Sequence, residues 1–136
     1  MIRFLNLLAL LPSIALAGGP TAPSGWDGSF EPVLPNGESC CLSADLNGTG
    51  LIGGTFVFLS SDKRQFALFA LSYTPPMQER WQLLEKHPIG ELDAFRVKLL
   101  PAGKQPHGAI EACRAEGRCT IYAAATAKGK FKPVRP

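Results

Sequence analysis

The chain has 136 residues, 46% of them hydrophobic, with 14 Lys and Arg against 11 Asp and Glu for a net charge of +3. That length fits one domain with a modest core. So slight a positive balance gives no basis for nucleic-acid binding.

The first element is a leader. Arg3 supplies a positive start, Leu5 to Leu16 is an apolar run bent at Pro12, and Ala15-Leu16-Ala17 is a small-x-small cleavage signal before Gly18-Gly19-Pro20. This is the layout of a secretory signal peptide over residues 1–17, of a bacterial type. The run is shorter than the roughly 20 apolar residues of a spanning helix, and no cysteine follows Ala17 to carry a lipid. With no second long apolar segment, no stable membrane insertion is expected after cleavage, and the expected location is the periplasm or the outside of the cell. Loss of Arg3 brings the net charge to about +2.

Residues 18–39 form a Pro- and Gly-rich lead-in, in which Pro20, Pro23, Pro32 and Pro35 oppose regular structure. Its two large apolar residues, Trp26 and Phe30, read either as anchors on the domain or as binding contacts. Residues 40–136 are expected to make a single domain. Cys40 to Leu46 is a short strand, and Asp45-Leu46-Asn47-Gly48-Thr49-Gly50 a turn that Gly53-Gly54 extends. Thr55–Leu59 and Arg64–Tyr73, β-branched and aromatic, predict a β-hairpin. Thr74-Pro75-Pro76 opens a predicted helix, with Thr74 as N-cap and Pro tolerated in the first turn. Met77, Trp81 and Leu84 recur on one helical face, and Pro88 and Gly90 end the helix near His87. Phe95–Leu99 alternates apolar and basic residues and reads as a half-buried strand, Pro101–Gly108 as a loop, and Cys119–Ala124 as a strand. A turn at Lys128-Gly129 leads to an edge arm over 130–134, where Pro133 cannot donate to a ladder. Strands, one helix, then strands predict an α+β domain: an antiparallel sheet of hairpins with one packed helix, tied by disulfides.

An even number of cysteines in an exported chain reads as disulfides. The favoured pairing is Cys113 with Cys119 across a turn, leaving Cys40 with Cys41. The alternative ties the 40/41 pair to 113 and 119. The spacing lacks paired C-x-x-C and argues against zinc. Lys128, Lys130, Lys132 and Arg135, with no acid among them, read as a solvated edge, or else as a surface for an acidic partner or a membrane.

Few residues propose chemistry. Asp45-x-Asn47-x-Thr49-Gly50 spaces oxygens as calcium loops do, but position 12 counted from Asp45 is Phe56, where an EF-hand needs a bidentate Glu. Position 9 is Gly53. An ordinary Asx-type turn is the simpler reading, and neither metal nor other cofactor is expected. No H-E-x-x-H, G-x-S-x-G or phosphate-binding glycine loop occurs. His87 and His107 sit beside prolines and read as solvated. Glu79, Glu85, Glu91 and Asp93 cluster at the predicted helix and its exit, and read as solvated charge too.

The stretch Cys40 to Gly50 with the Phe-rich hairpin after it resembles small exported proteobacterial proteins with a D-x-N-x-D-G signature shared with FG-GAP/VCBS-type repeats. The closing Gly129 to Val134 is similar to the end of such proteins. The acids of that signature are missing at Thr49 and Gly53. By analogy, small exported proteins of this kind neutralise secreted antibacterial toxins. The expectation is therefore a periplasmic, non-enzymatic binding protein, an immunity-type inhibitor occluding an envelope-targeting toxin, with Trp26, Phe30, Asp45, Asn47 and His107 as contacts. The alternatives are a calcium- or glycan-binding envelope module using Asp45 and Asn47, or a small envelope hydrolase.

Overall fold

The computed structural model describes residues 22–27, 34–103, 105–124 and 130–134. The predicted leader, Phe30 and the Lys128-Gly129 turn lie outside these residues. Among the described residues nine strands form two antiparallel sheets: β1 (Trp26–Asp27), β2 (Cys41–Ala44), β3 (Gly53–Ser60), β4 (Gln65–Thr74) and β5 (Gln78–Pro88) in the first, and β6 (Arg96–Leu100), β7 (Ala109–Cys113), β8 (Cys119–Ala124) and β9 (Phe131–Val134) in the second. β1 and β2 pair successive parts of β3, and β3, β4 and β5 follow as a meander. The second sheet is a plain four-strand meander, with β9 at its edge as Pro133 requires.

The α+β expectation is corrected: the described residues contain no α-helix, only 3₁₀ turns at Ile89–Ala94 and Ala115–Gly117. The segment read as a helix is β5, paired along β4 from Thr74↔Gln78 to Gln65↔Pro88. Thr74-Pro75-Pro76 makes the hairpin turn instead of a helix start, since residues without N–H donors suit either role. A β-bulge explains the misleading periodicity. Trp81 and Leu83 oppose Leu71 and Phe69 on the outer face, but the register shifts between Leu68 and Phe69, so Glu85 opposes Leu68 on the inner face. The extra residue, Leu84, reverses the phase of alternation and packs on the core. Trp81 and Leu84 thus mimic a helical stripe while obeying a strand interrupted once.

The core lies between the sheets. Val57, Phe66, Leu68 and Ala70 of the first meet Ile110, Ala112, Tyr122, Ala124 and Phe131 of the second. Each large side chain taken from water contributes about 1.5–3 kcal/mol. Leu34, from the lead-in, is buried here as well, and Asn36 Nδ2 donates to the Leu92 and Phe95 carbonyls at 2.7 and 3.1 Å, pinning the first 3₁₀ turn. The domain therefore recruits part of the segment expected to precede it. β7 lies in a stretch that the sequence reading leaves unassigned; its Ala-rich sequence has poor β-propensity, and pairing with β6 and β8 on either side holds it.

Gly53 and Gly54 do not prolong a turn. They open β3 between β2 and β4, where a Cβ on Gly54 would strike the Leu42 carbonyl and one on Gly53 the Leu71 carbonyl. Only residues without side chains allow three strands to close here.

Both disulfides join the nearest partners, Cys40–Cys41 and Cys113–Cys119. The second sits opposite itself in the β7–β8 pair. Replacing Cys113 and Cys119 by serine should cost about 2 kcal/mol, the loop-entropy value for so short a ring. Urea unfolding of the double variant against the parent checks this.

Candidate functional site

Connections at one end of the sandwich bring two predicted contacts together with a third. The 45–52 loop follows β2, the Thr74–Gln78 turn joins β4 to β5, and the 101–108 loop joins β6 to β7. Asn47 is buried and its Nδ2 donates to the Tyr73 carbonyl at 3.4 Å, tying the first loop to the end of β4. The His107 ring lies on Gly48 so closely that an added Cβ would fall 2.5 Å from the imidazole. Gly108, at positive φ, brings the same connection against Leu46. Asp45, Asn47 and His107 therefore share one rim, although His107 is far from the other two in sequence.

The geometry of Asp45 is that of a turn. Its Oδ1 accepts from the N–H groups of Gly48 and Thr49 at 2.9 and 3.2 Å, and its Oδ2 from Gly50 at 2.8 Å. Asn47 Oδ1 accepts from the Thr49 hydroxyl at 3.3 Å. Loop donors converge on the carboxylate, whereas a calcium cage needs converging oxygens. What the rim offers a partner is apolar: Ile52 and Met77 are 61% and 63% exposed, the highest values for large hydrophobics among the described residues. By register, Ile52 sits just before β3 and Met77 in the neighbouring β4–β5 turn. Sequence reasoning missed both, since Met77 was assigned to a packed helical face.

Trp26 is elsewhere. It pairs with Ser60 at the far end of β3, an eight-residue strand that spans roughly 25 Å. Its ring meets Phe69 edge-on at 5.5 Å within an aromatic cluster on the outer face, where Phe56 and Trp81 stand 5.3 Å apart. Such pairs add about 0.5–1.5 kcal/mol each beyond burial. The described geometry makes Trp26 an anchor.

A polar cluster that sequence reasoning took for solvated charge lies between the sheets. Glu85, with a side chain only 7% exposed, has both oxygens contacted by Arg114 Nη1 at 2.9 Å. His87 Nε2 donates to Oε1 at 2.8 Å and the Tyr122 hydroxyl to Oε2 at 2.6 Å. Arg114 also donates to Thr120 Oγ1 at 2.9 Å. Burial pushes the Glu85 carboxyl upward, but hydrogen bonds from Tyr122, His87 and Arg114 and the guanidinium charge outweigh it and hold it below its ordinary value. Burial, with the adjoining Glu85 carboxylate, pushes the Tyr122 phenol up, so it remains a neutral donor. Four contacts, two on each Glu85 oxygen, tie β5 to β8 and to Arg114 after β7, which makes the cluster a staple between sheets. The one sequence signal for it was the Glu85–His87 spacing, which faces one way only in a strand.

Glu111, Cys113 and Cys119 bring one oxygen and two sulfurs within 4.8 Å of one another. Both sulfurs are consumed by the disulfide, and Glu111 pairs with Lys98 at 3.3 Å. No helix among the described residues is long and apolar enough to cross a membrane. No protein family, curated protein or solved structure matches this chain. The likeness of the 40–50 stretch to FG-GAP/VCBS-type loops thus rests on its residue types alone.

Proposed function

We propose that this chain is an exported, non-enzymatic binding protein, and in particular an immunity-type inhibitor that occludes a toxin aimed at the cell envelope. The observation that carries the reading is the exposure of Ile52 and Met77 at neighbouring strand ends, in the end of the sandwich where His107 lies on Gly48 of the 45–52 loop. Large apolar side chains on short, tethered connections bind with little ordering cost. The leader and the two local disulfides suit an oxidising compartment. The calcium and hydrolase readings draw less from the same residues, because Asp45 and Glu85 both spend their oxygens inside the fold.

The test is capture from envelope and culture-supernatant fractions with the chain lacking residues 1–17. A specific partner should be recovered by the parent and at least tenfold less by Ile52→Asp/Met77→Asp, whose exposed positions cost the fold little. Arg118→Ser, at the opposite end, should bind like the parent. Equal recovery by the rim variant would remove the reading.

A further inference from the structure

β5 is the outermost strand of its sheet, and it is long: 11 residues from Gln78 to Pro88, against about 5–6 for a common strand. Among the described residues no strand pairs with its free edge. The edge of the second sheet on the same side is closed. There Gln82 Nε2 donates to the Phe131 carbonyl at 2.7 Å, its Oε1 accepts from the Phe131 N–H at 2.8 Å, and Pro133 has no N–H to offer. Of the large hydrophobics that stand exposed among the described residues, Leu83 is on β5, and Met77 and Ile89 flank the strand. A long edge with unpaired main-chain groups and exposed apolar side chains is a template for another strand.

From this edge we infer that two copies of the chain join through β5, antiparallel about a two-fold axis at Gln82, making one continuous sheet. The strand is complementary to itself in that register. Leu84, the extra residue of the bulge, has no partner on β4. Left out again, it sets Glu79 opposite Lys86, Trp81 opposite Leu83 and Gln78 opposite His87, and each pair occurs twice. The faces agree. Glu79, Trp81, Leu83 and Lys86 stand on the outer side with Tyr73, Leu71, Phe69 and Ala67 of β4, so the charged pair and the apolar pair each share a face, as antiparallel neighbours must. No like charges meet at any position. An axis at Trp81 would set Glu79 against Leu83 and Lys86 against Met77; an axis at Leu83 would set them against Pro88 and Trp81. Of these neighbouring registers only the one at Gln82 pairs the charges. Both charged side chains are exposed, and Lys86 makes no ion pair with another described residue. Glu79 uses Oε1 to accept from Trp81 Nε1 at 2.8 Å, and its Oε2 is left to face the lysine of the other copy. A pairing of the same strand from both copies consumes both β5 edges, so the assembly stops at two. The paired span excludes Ile52 and Met77, so the dimer stands apart from the rim reading.

The test is sedimentation equilibrium of the chain lacking residues 1–17 across a wide range of concentration, with charge reversal at the paired positions. The parent should be a dimer that dissociates on dilution. Glu79→Lys and Lys86→Glu should each weaken it about tenfold, because each turns two attractive cross-strand pairs into two repulsive ones. Glu79→Lys/Lys86→Glu restores opposite signs and should dimerise like the parent. Mixing the two single variants should restore the dimer as well, since the mixed pair carries opposite charges at both contacts. The substituted side chains are exposed, so the variants retain the fold, which circular dichroism checks. A parent that is monomeric at every concentration, a dimer indifferent to both reversals, or single variants whose mixture stays monomeric would overturn the inference.

Discussion

Gly54→Ala is expected to destabilise the protein by about 3 kcal/mol, at the upper end of overpacking costs. Gly54 has φ +152° and would drive a Cβ into the Leu42 carbonyl of β2, which is backbone and cannot rotate away. Gly50 supplies the internal control. It too has positive φ, +86°, but an added Cβ there meets nothing within 4 Å. Gly50→Ala should therefore cost about 1 kcal/mol, the strain of the backbone conformation alone. Urea midpoints of the two variants separate the terms. Similar losses for both would mean that β2 does not pair with β3 in the register Ser43↔Gly54.

Loss of the inter-sheet carboxylate should be as large. Glu85→Ala leaves Arg114 and the Tyr122 hydroxyl without their acceptor, and breaking a buried pair from one side costs about 3–5 kcal/mol. Arg114→Met should be damaging as well, and Glu85→Ala/Arg114→Met less so than the sum of the two singles, because the groups act as one unit. The same cluster sets a pH dependence. The folded-state carboxyl of Glu85 lies below its ordinary value of 4.5. The unfolded chain therefore binds this proton first, so the contribution is complete above that value and is lost as pH falls through the lower folded one. The parent should lose stability on acidification below about pH 4.5, and Glu85→Gln should lose less over the same interval. Parallel acid-unfolding curves for parent and variant would show that Glu85 carries no such linkage.

Much of the architecture was legible where side chains pack in short periods. Thr55-Phe56-Val57-Phe58-Leu59 and Phe66-Ala67-Leu68-Phe69 could only be buried strands, and β3–β4 is the hairpin they predict. Cys119–Ala124 forms β8 with the bounds read from its sequence. The disulfide partners followed from spacing, since the closest thiols were the ones joined. β5 was illegible because its bulge at Leu84 reverses the alternation midway, and the turn before it uses residues that also start helices. The Glu85 cluster was hidden for another reason. Arg114 and Tyr122 lie 29 and 37 residues away, and nothing local distinguishes a buried glutamate from a solvated one. The meeting of His107 with Gly48 had no sequence signal beyond a glycine with room for a ring.

The proposal of a toxin inhibitor is tested most directly by survival in co-culture. A strain lacking this gene, grown beside its otherwise identical parent, should be killed and should recover when supplied with the parent sequence or with Arg118→Ser, but not with Ile52→Asp/Met77→Asp at equal periplasmic abundance. Unimpaired survival without the gene, or full rescue by the rim variant, would contradict the account.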